Sequence, residues 1–238
     1  MEKSNRYIII YASVMVIIVA VVLTILAVQL KPAQDANIRV EKMQNLLQTI
    51  NINTADLTQD EIMSLFEKTI VSGVLINNKG EIVSNDLDET FNTELGNELK
   101  KPVEEQRYPV YQSVTTDNDT LSIIQLHGKG LWGPIWGYLA FKSDFNTVAG
   151  CVFAHKGETP GLGAEIAESW YQEKFIKKTV FDDNNNLVSI KVVKGGVAPD
   201  DLHSVDAITG GTITSDGLQD MIADILDAYK PFFESKRQ

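Results

Sequence analysis

Hydrophobic positions along the chain fall into a continuous run, then helical and alternating patterns. The run YIIIYASVMVIIVAVVLTILAVQL, residues 7–30, contains no charged residue. Crossing a bilayer as a helix takes about 20 apolar residues, so this run predicts a membrane span. It is too long for the apolar part of a cleaved leader, and LAVQLKPAQD is a poor small-residue exit, so the span is read as retained. ANIRVEKMQNLLQTI, residues 36–50, reads as a helix leaving the membrane. Thr58 and Glu61 stand three apart before Ile62, Leu65 and Phe66, the spacing of a capping box at a helix start. GVLINNKGEIVS then reads as a hairpin turning at NNKG, and residues 85–107 as a polar loop with short helical pieces. YPVYQSVT, TLSIIQLHG, WGYLAF and TVAGCVFAH have the apolar and β-branched content of strands. A helix is expected from about Ala164, and a hairpin in TVFDDNNNLVSIKVV around its Asp/Asn turn. A closing helix is expected from near Asp216. Its apolar residues Leu218, Met221, Ile222, Ile225, Leu226 and Tyr229 recur with a 3.6 period, and Asp216 with Gln219 can cap it. The pattern predicts an α+β fold, one transmembrane helix followed by a single domain of mixed sheets and helices.

Composition narrows the function. The 238 residues carry a formal charge of −11 and show no Lys/Arg cluster, which argues against nucleic acid. His127, His155 and His203 are scattered and match no metal-site spacing. Cys151 is the single cysteine and sits beside Val152 and Phe153, the setting of a small core residue. Lys3 and Arg6, diluted by Glu2, precede the span, whereas Lys31 and Arg39 mix with Asp35 beyond it. Positive-inside counting therefore favours a cytoplasmic N-terminus, with the bulk of the chain on the other side. The span contains no acid, which argues that it is not itself an ion channel.

Three glycine-rich stretches carry the candidate chemistry. DAITGGTITSDG, residues 206–217, sets Thr209, Thr212, Thr214 and Ser215 around Gly210 and Gly211 in front of a helix. Unpaired N–H groups at a helix start suit a phosphate, and the glycines let backbone approach it. It is not a Walker loop, because no Lys follows the glycines. The same residues also fit a plain turn with Thr214 or Ser215 as the helix cap. KGETPGLGAEI, residues 156–166, offers Glu158 and Thr159, with Gly161 and Gly163 flanking Leu162. It fits either a flat ring lying on backbone or a capped loop. In GKGLWGPIWGYLAF, Trp132 and Trp136 fit either a wall of an aromatic pocket or the core of a hairpin.

Together ETPGLGAEI, GKGLWGPIWGYLA and DAITGGTITSDGL resemble the C-type subunit of the sodium-translocating NADH:quinone reductase. More broadly they resemble the covalent FMN-binding domain shared with the G-type subunit of the Rnf electron-transport complex. The family pattern of Asp, two residues, Ser or Thr, Gly, Ala, Thr falls on Asp206, Thr209, Gly210, Gly211 and Thr212, with Gly211 where Ala is usual. The resemblance implies a phosphodiester between FMN and Thr212, made by a flavin transferase from FAD. It implies cofactor contacts from Asp206, Thr209, Gly210, Gly211, Glu158, Thr159, Gly161, Leu162, Gly163 and Trp132. It further implies an electron-relay subunit of an NADH:ubiquinone reductase, with B-type, D-type and E-type subunits as partners, coupled to sodium export. The expected layout is a cytoplasmic tail at 1–6, a span at 7–30, a linker and helix at 31–57, and an FMN domain at 58–238. That domain would lie on the periplasmic side of a bacterial inner membrane. The alternatives are a relay of the Rnf type, and an anchored binding or structural protein without flavin.

Overall fold

The computed structural model describes residues 4–114 and 120–237. Glu2 and Lys3, used in the charge count, and Thr115, the last residue of one predicted strand, lie outside them. The chain divides into two compact units, Met1–Lys42 and Met43–Gln238. The first unit is the bulk of helix α1, Asn5–Thr49, an unbroken helix that takes in both the apolar run and the helix expected at 36–50. Its mean hydropathy reaches 3.0 over an 18-residue window, so it is long and apolar enough to cross a membrane. Pro32 lies within the helix.

In the second unit the last turns of α1 bury Met43, Leu46 and Leu47. Helix α2, Gln59–Thr69, begins as its sequence predicts. Thr58 accepts from the Glu61 amide, and the Glu61 carboxylate accepts from the Thr58 amide, so the capping box is closed. Strands β1 (Ile70–Ile76) and β2 (Ile82–Ser84) form the NNKG hairpin. Short helices α3 (Leu87–Asn92) and α4 (Leu95–Glu98) and a 3-10 turn at Val103–Glu105 occupy the polar stretch that follows. Strands β3 (Tyr108–Val114), β4 (Thr120–Lys129), β5 (Pro134–Phe141) and β6 (Val148–His155) complete an antiparallel sheet in the order β2-β1-β3-β4-β5-β6.

Both faces of this sheet are covered. Along β4, Ile124 and Leu126 share one hydrophobic cluster with Leu139, Phe141 and Phe153 of the neighbouring strands. Helix α6, Thr212–Lys236, closes that cluster with Leu218, Ile222, Leu226, Tyr229 and Phe233. Tyr229 also donates its hydroxyl to the Pro109 carbonyl at 2.7 Å. Ile123 alternates to the other face, and α2 and α3 pack on β1. Cys151 is a buried residue of the core, and burial pushes its thiol pKa up.

Two expectations change beyond β6. The helix expected from Ala164 is a broken series: a 3-10 turn at Gly163–Ala167, helix α5 (Ser169–Gln172) and a 3-10 turn at Glu173–Phe175. Ile166, Tyr171 and Phe175 are buried, and packing them takes precedence over a regular helix. The Asp/Asn hairpin is reduced to one antiparallel bridge, Phe181 to Leu187. Its second arm instead runs into β7 (Lys191–Val193), which pairs in parallel with β8 (Ser204–Asp206).

His127 of β4 packs its ring against Gly96, and burial, with Lys100 adding and Glu94 opposing, holds its pKa below the ordinary 6.5. The unfolded chain therefore binds more protons between the folded pKa and 6.5, and stability rises with pH through that window. Urea unfolding of the full chain in detergent is expected to show stability falling as pH drops below about 6.5, and His127→Gln to flatten that limb. A parent profile that is flat there would contradict it.

Candidate functional site

The site is built where three connections meet. The first is the β4–β5 hairpin, closed by Gly130 N–H donating to the Gly133 carbonyl at 2.8 Å. The second is the loop after β6, where the Glu158 amide donates to His155 Nδ1 at 3.1 Å. The third runs from the end of β8 at Asp206 to the start of α6 at Thr212.

Glu158 ties them together. Its side chain is buried; Oε1 accepts from the Trp132 amide at 2.8 Å and Oε2 from the Thr214 hydroxyl at 2.5 Å. Gly163 is required beside it, because a Cβ there would overlap the Thr214 hydroxyl and lie 2.5 Å from Glu158 Oε2. Gly210 takes φ +77°, a left-handed conformation that favours glycine, and a Cβ there would meet Leu162 at 2.7 Å. Gly211, which departs from the family pattern, has an ordinary φ of −104° as the cap residue of α6. An alanine methyl there would approach Ile208 to 3.0 Å and the Leu162 backbone to 3.2 Å, so glycine leaves this corner looser.

The start of the closing helix lies earlier than its sequence predicts. α6 begins at Thr212, four residues before Asp216, and no side chain caps it. Gln219, expected to cap, instead accepts from the Val192 amide of β7 at 3.0 Å. The first bond closing the helix is Ser215 N–H to the Gly211 carbonyl, 2.9 Å, so the N–H groups of Thr212, Ile213 and Thr214 precede it. The four hydroxyls of the stretch have different fates. Thr214 donates to Glu158, and Ser215 Oγ accepts from the Ile208 amide at 3.1 Å. Among the described residues, the hydroxyls of Thr209 and Thr212 make no hydrogen bond; Thr209 is exposed and Thr212 half-buried.

Two cavities share these loops. One of about 180 Å³ is lined by Glu158, Thr159, Leu162 and Gly163 from one loop and Gly210, Gly211 and Thr212 from the other. Leu131 and Ile213 complete its apolar side. Gly161, Asp206 and Thr209 line a second cavity of about 740 Å³ with Trp170 and Lys174. Asp206 thus lines a different cavity from Thr212. Its carboxylate accepts from the Val197 amide at 2.8 Å and pairs with Lys174 at 3.2 Å, and the Lys174 ammonium also lies 5.3 Å from the Trp170 ring centre.

Trp132 is 68% exposed, and its amide donates to Glu158 at the site. Trp136 lies within β5, paired with His127 and Ala154. The Glu158–Thr214 bond and the Lys174–Asp206 pair are beyond sequence reasoning. They span 56 and 32 positions, and no local spacing signals them.

A family description, FMN-binding domain, matches residues 130–227, which include all three connections. The chain is 30% identical over 202 residues to the C-type subunit of the Na(+)-translocating NADH-quinone reductase of Haemophilus ducreyi, covering 81% of this chain and 78% of that one. It is 29% identical over 241 residues to the corresponding subunit from Pseudomonas aeruginosa, covering 93% and 91%. Among solved structures, the corresponding subunit from Parabacteroides distasonis superposes with a TM-score of 0.76 at 37% identity, over 86% of this chain and 96% of that one. The Shewanella oneidensis NqrC structure gives a TM-score of 0.71 at 26% identity, over 84% and 97%.

Proposed function

Since the chain belongs to the NqrC family, the C-type subunits of the sodium-translocating NADH-quinone reductases, we propose that it carries FMN through a phosphodiester to the Thr212 oxygen and relays electrons in the complex. The observation that carries the assignment is the state of the Thr212 hydroxyl. It has no hydrogen-bond partner among the described residues and stands at the first position of α6, beside a cavity. Thr214 and Ser215, the next hydroxyl residues along the helix, have their oxygens engaged by Glu158 and Ile208.

The residues present fit the group. N–H groups at the start of α6 stabilise the remaining charge of a phosphodiester, as helix starts do for anions. Gly210 and Gly211 leave room around the linkage. Leu162, 41% exposed at the cavity rim, offers an apolar face to a flat ring, and Thr159 and Gly163 offer polar backbone. Asp206 and Thr209 shape the approach to the loop from the larger cavity, where an attaching enzyme would read them. When bound, FMN supplies the redox chemistry, and the protein orients it and tunes its surroundings. A covalent tether keeps the carrier in place between turnovers.

In this scheme NADH is oxidised on another subunit. Electrons pass through this protein towards a flavin on the B-type subunit and then quinone, with the D-type and E-type subunits as further partners and sodium export as the coupled work. Residues 1–6 are cytoplasmic, 7–30 span the inner membrane, and the FMN domain within 58–238 is periplasmic. A separate flavin transferase installs the group. The test is the intact mass of the full chain, co-expressed with that transferase and routed to the periplasm. A gain of one FMN less water supports the proposal. No gain, while the transferase modifies a control protein, removes it.

A further inference from the structure

Resting on the reading that FMN is held at Thr212, we propose that Glu158 is a positioning residue whose fixed negative charge lowers the reduction potential of the bound flavin. Three observations lead there. Glu158 is 4% exposed yet lines the cavity beside Thr212. Its two oxygens are each met by a neutral donor, the Trp132 amide and the Thr214 hydroxyl. Among the described residues no cation pairs with it. Backbone also encloses it from two sides, since a Cβ on either Gly130 or Gly163 would lie 2.5 Å from a carboxylate oxygen.

A buried charge held by neutral donors keeps its field, because little water screens it and no counter-ion cancels it. Glu158 lines the cavity, so that field reaches a group bound there. Each electron entering a flavin adds one negative charge, which only a proton taken from solvent offsets. A fixed carboxylate makes the uncompensated electron costlier, so the ring gives electrons up more readily. The same carboxylate pins the first turn of α6 through Thr214, two residues from the linkage, and so holds the ring's tether at a constant distance from the charge.

The experiment is a potentiometric titration, with dithionite as the electron source and redox mediators, of the full chain loaded with covalent FMN in detergent. Glu158→Gln keeps the volume and both hydrogen bonds: its amide oxygen accepts from Trp132 and its amide nitrogen donates to Thr214. It removes only the charge, and the midpoint is expected to move positive. Glu158→Asp retains the charge and should lie closer to the parent than Gln does. An unchanged midpoint in loaded Glu158→Gln, or an equal shift in Glu158→Asp, overturns the inference alone. A parent without covalent FMN by intact mass overturns the reading beneath it and the inference together.

Discussion

Thr212→Ala is expected to abolish covalent flavin while leaving the fold intact. The hydroxyl it removes makes no hydrogen bond among the described residues, and the side chain is only half-buried. Alanine is also a better helix former than threonine at the start of α6. Stability should therefore stay within about 0.5 kcal/mol of the parent, the range of surface substitutions that disturb no specific feature. Intact mass reads the loss of FMN, and thermal unfolding reads the unchanged fold. Thr212→Ser restores a hydroxyl at the same place and should recover attachment at least in part. The competing site is Thr209, whose hydroxyl is likewise unengaged among the described residues and which lines the larger cavity. Flavin retained in Thr212→Ala and lost in Thr209→Ala would move the linkage to Thr209.

Tyr229→Ala is expected to give the largest loss of stability. Tyr229 is fully buried on α6, its ring packs edge-on against Tyr108 at 5.5 Å, and its hydroxyl satisfies the Pro109 carbonyl of β3. Truncating a buried aromatic residue leaves a cavity and costs about 3–5 kcal/mol. For a domain of this size that lowers Tm by roughly 6–20 °C. Tyr229→Phe keeps the ring and loses only the hydroxyl, so it should cost about 1–2 kcal/mol, the penalty of an unsatisfied buried carbonyl. Differential scanning calorimetry of the two variants separates the terms. Equal losses in both would show that the hydrogen bond, not packing, dominates at this position.

Legibility in the sequence follows how local each determinant is. The capping box at Thr58 and Glu61 and the NNKG hairpin depend on residues three or four apart, and both stand where their patterns put them. The strands β3 to β6 carry enough apolar and β-branched residues to be read, as does the 3.6 period of α6. The start of α6 escapes the sequence because Thr214, Ser215 and Asp216 all have the chemistry of caps. Tertiary partners claim two of them: Glu158 takes Thr214, and the Ile208 amide takes Ser215. The helix then extends back to Thr212, which leaves the loop glycines at its very tip. The same kind of override breaks the helix expected at Ala164, where Tyr171 and Phe175 reach into the core. Within the site, motif matching names residues from all three connections. It does not separate those at the small cavity from Asp206 and Thr209 at the large one, because that division depends on how β8 turns into α6.

Every strand of the main sheet leaves the ribosome before α6, the helix that both closes the core and begins at Thr212. Until α6 is made and docked, Ile124 of β4 and Phe141, which packs edge-on against Phe233, lack their cover. A chain truncated before α6 thus leaves the apolar face of the sheet open and the glycine loop without the helix it leads into.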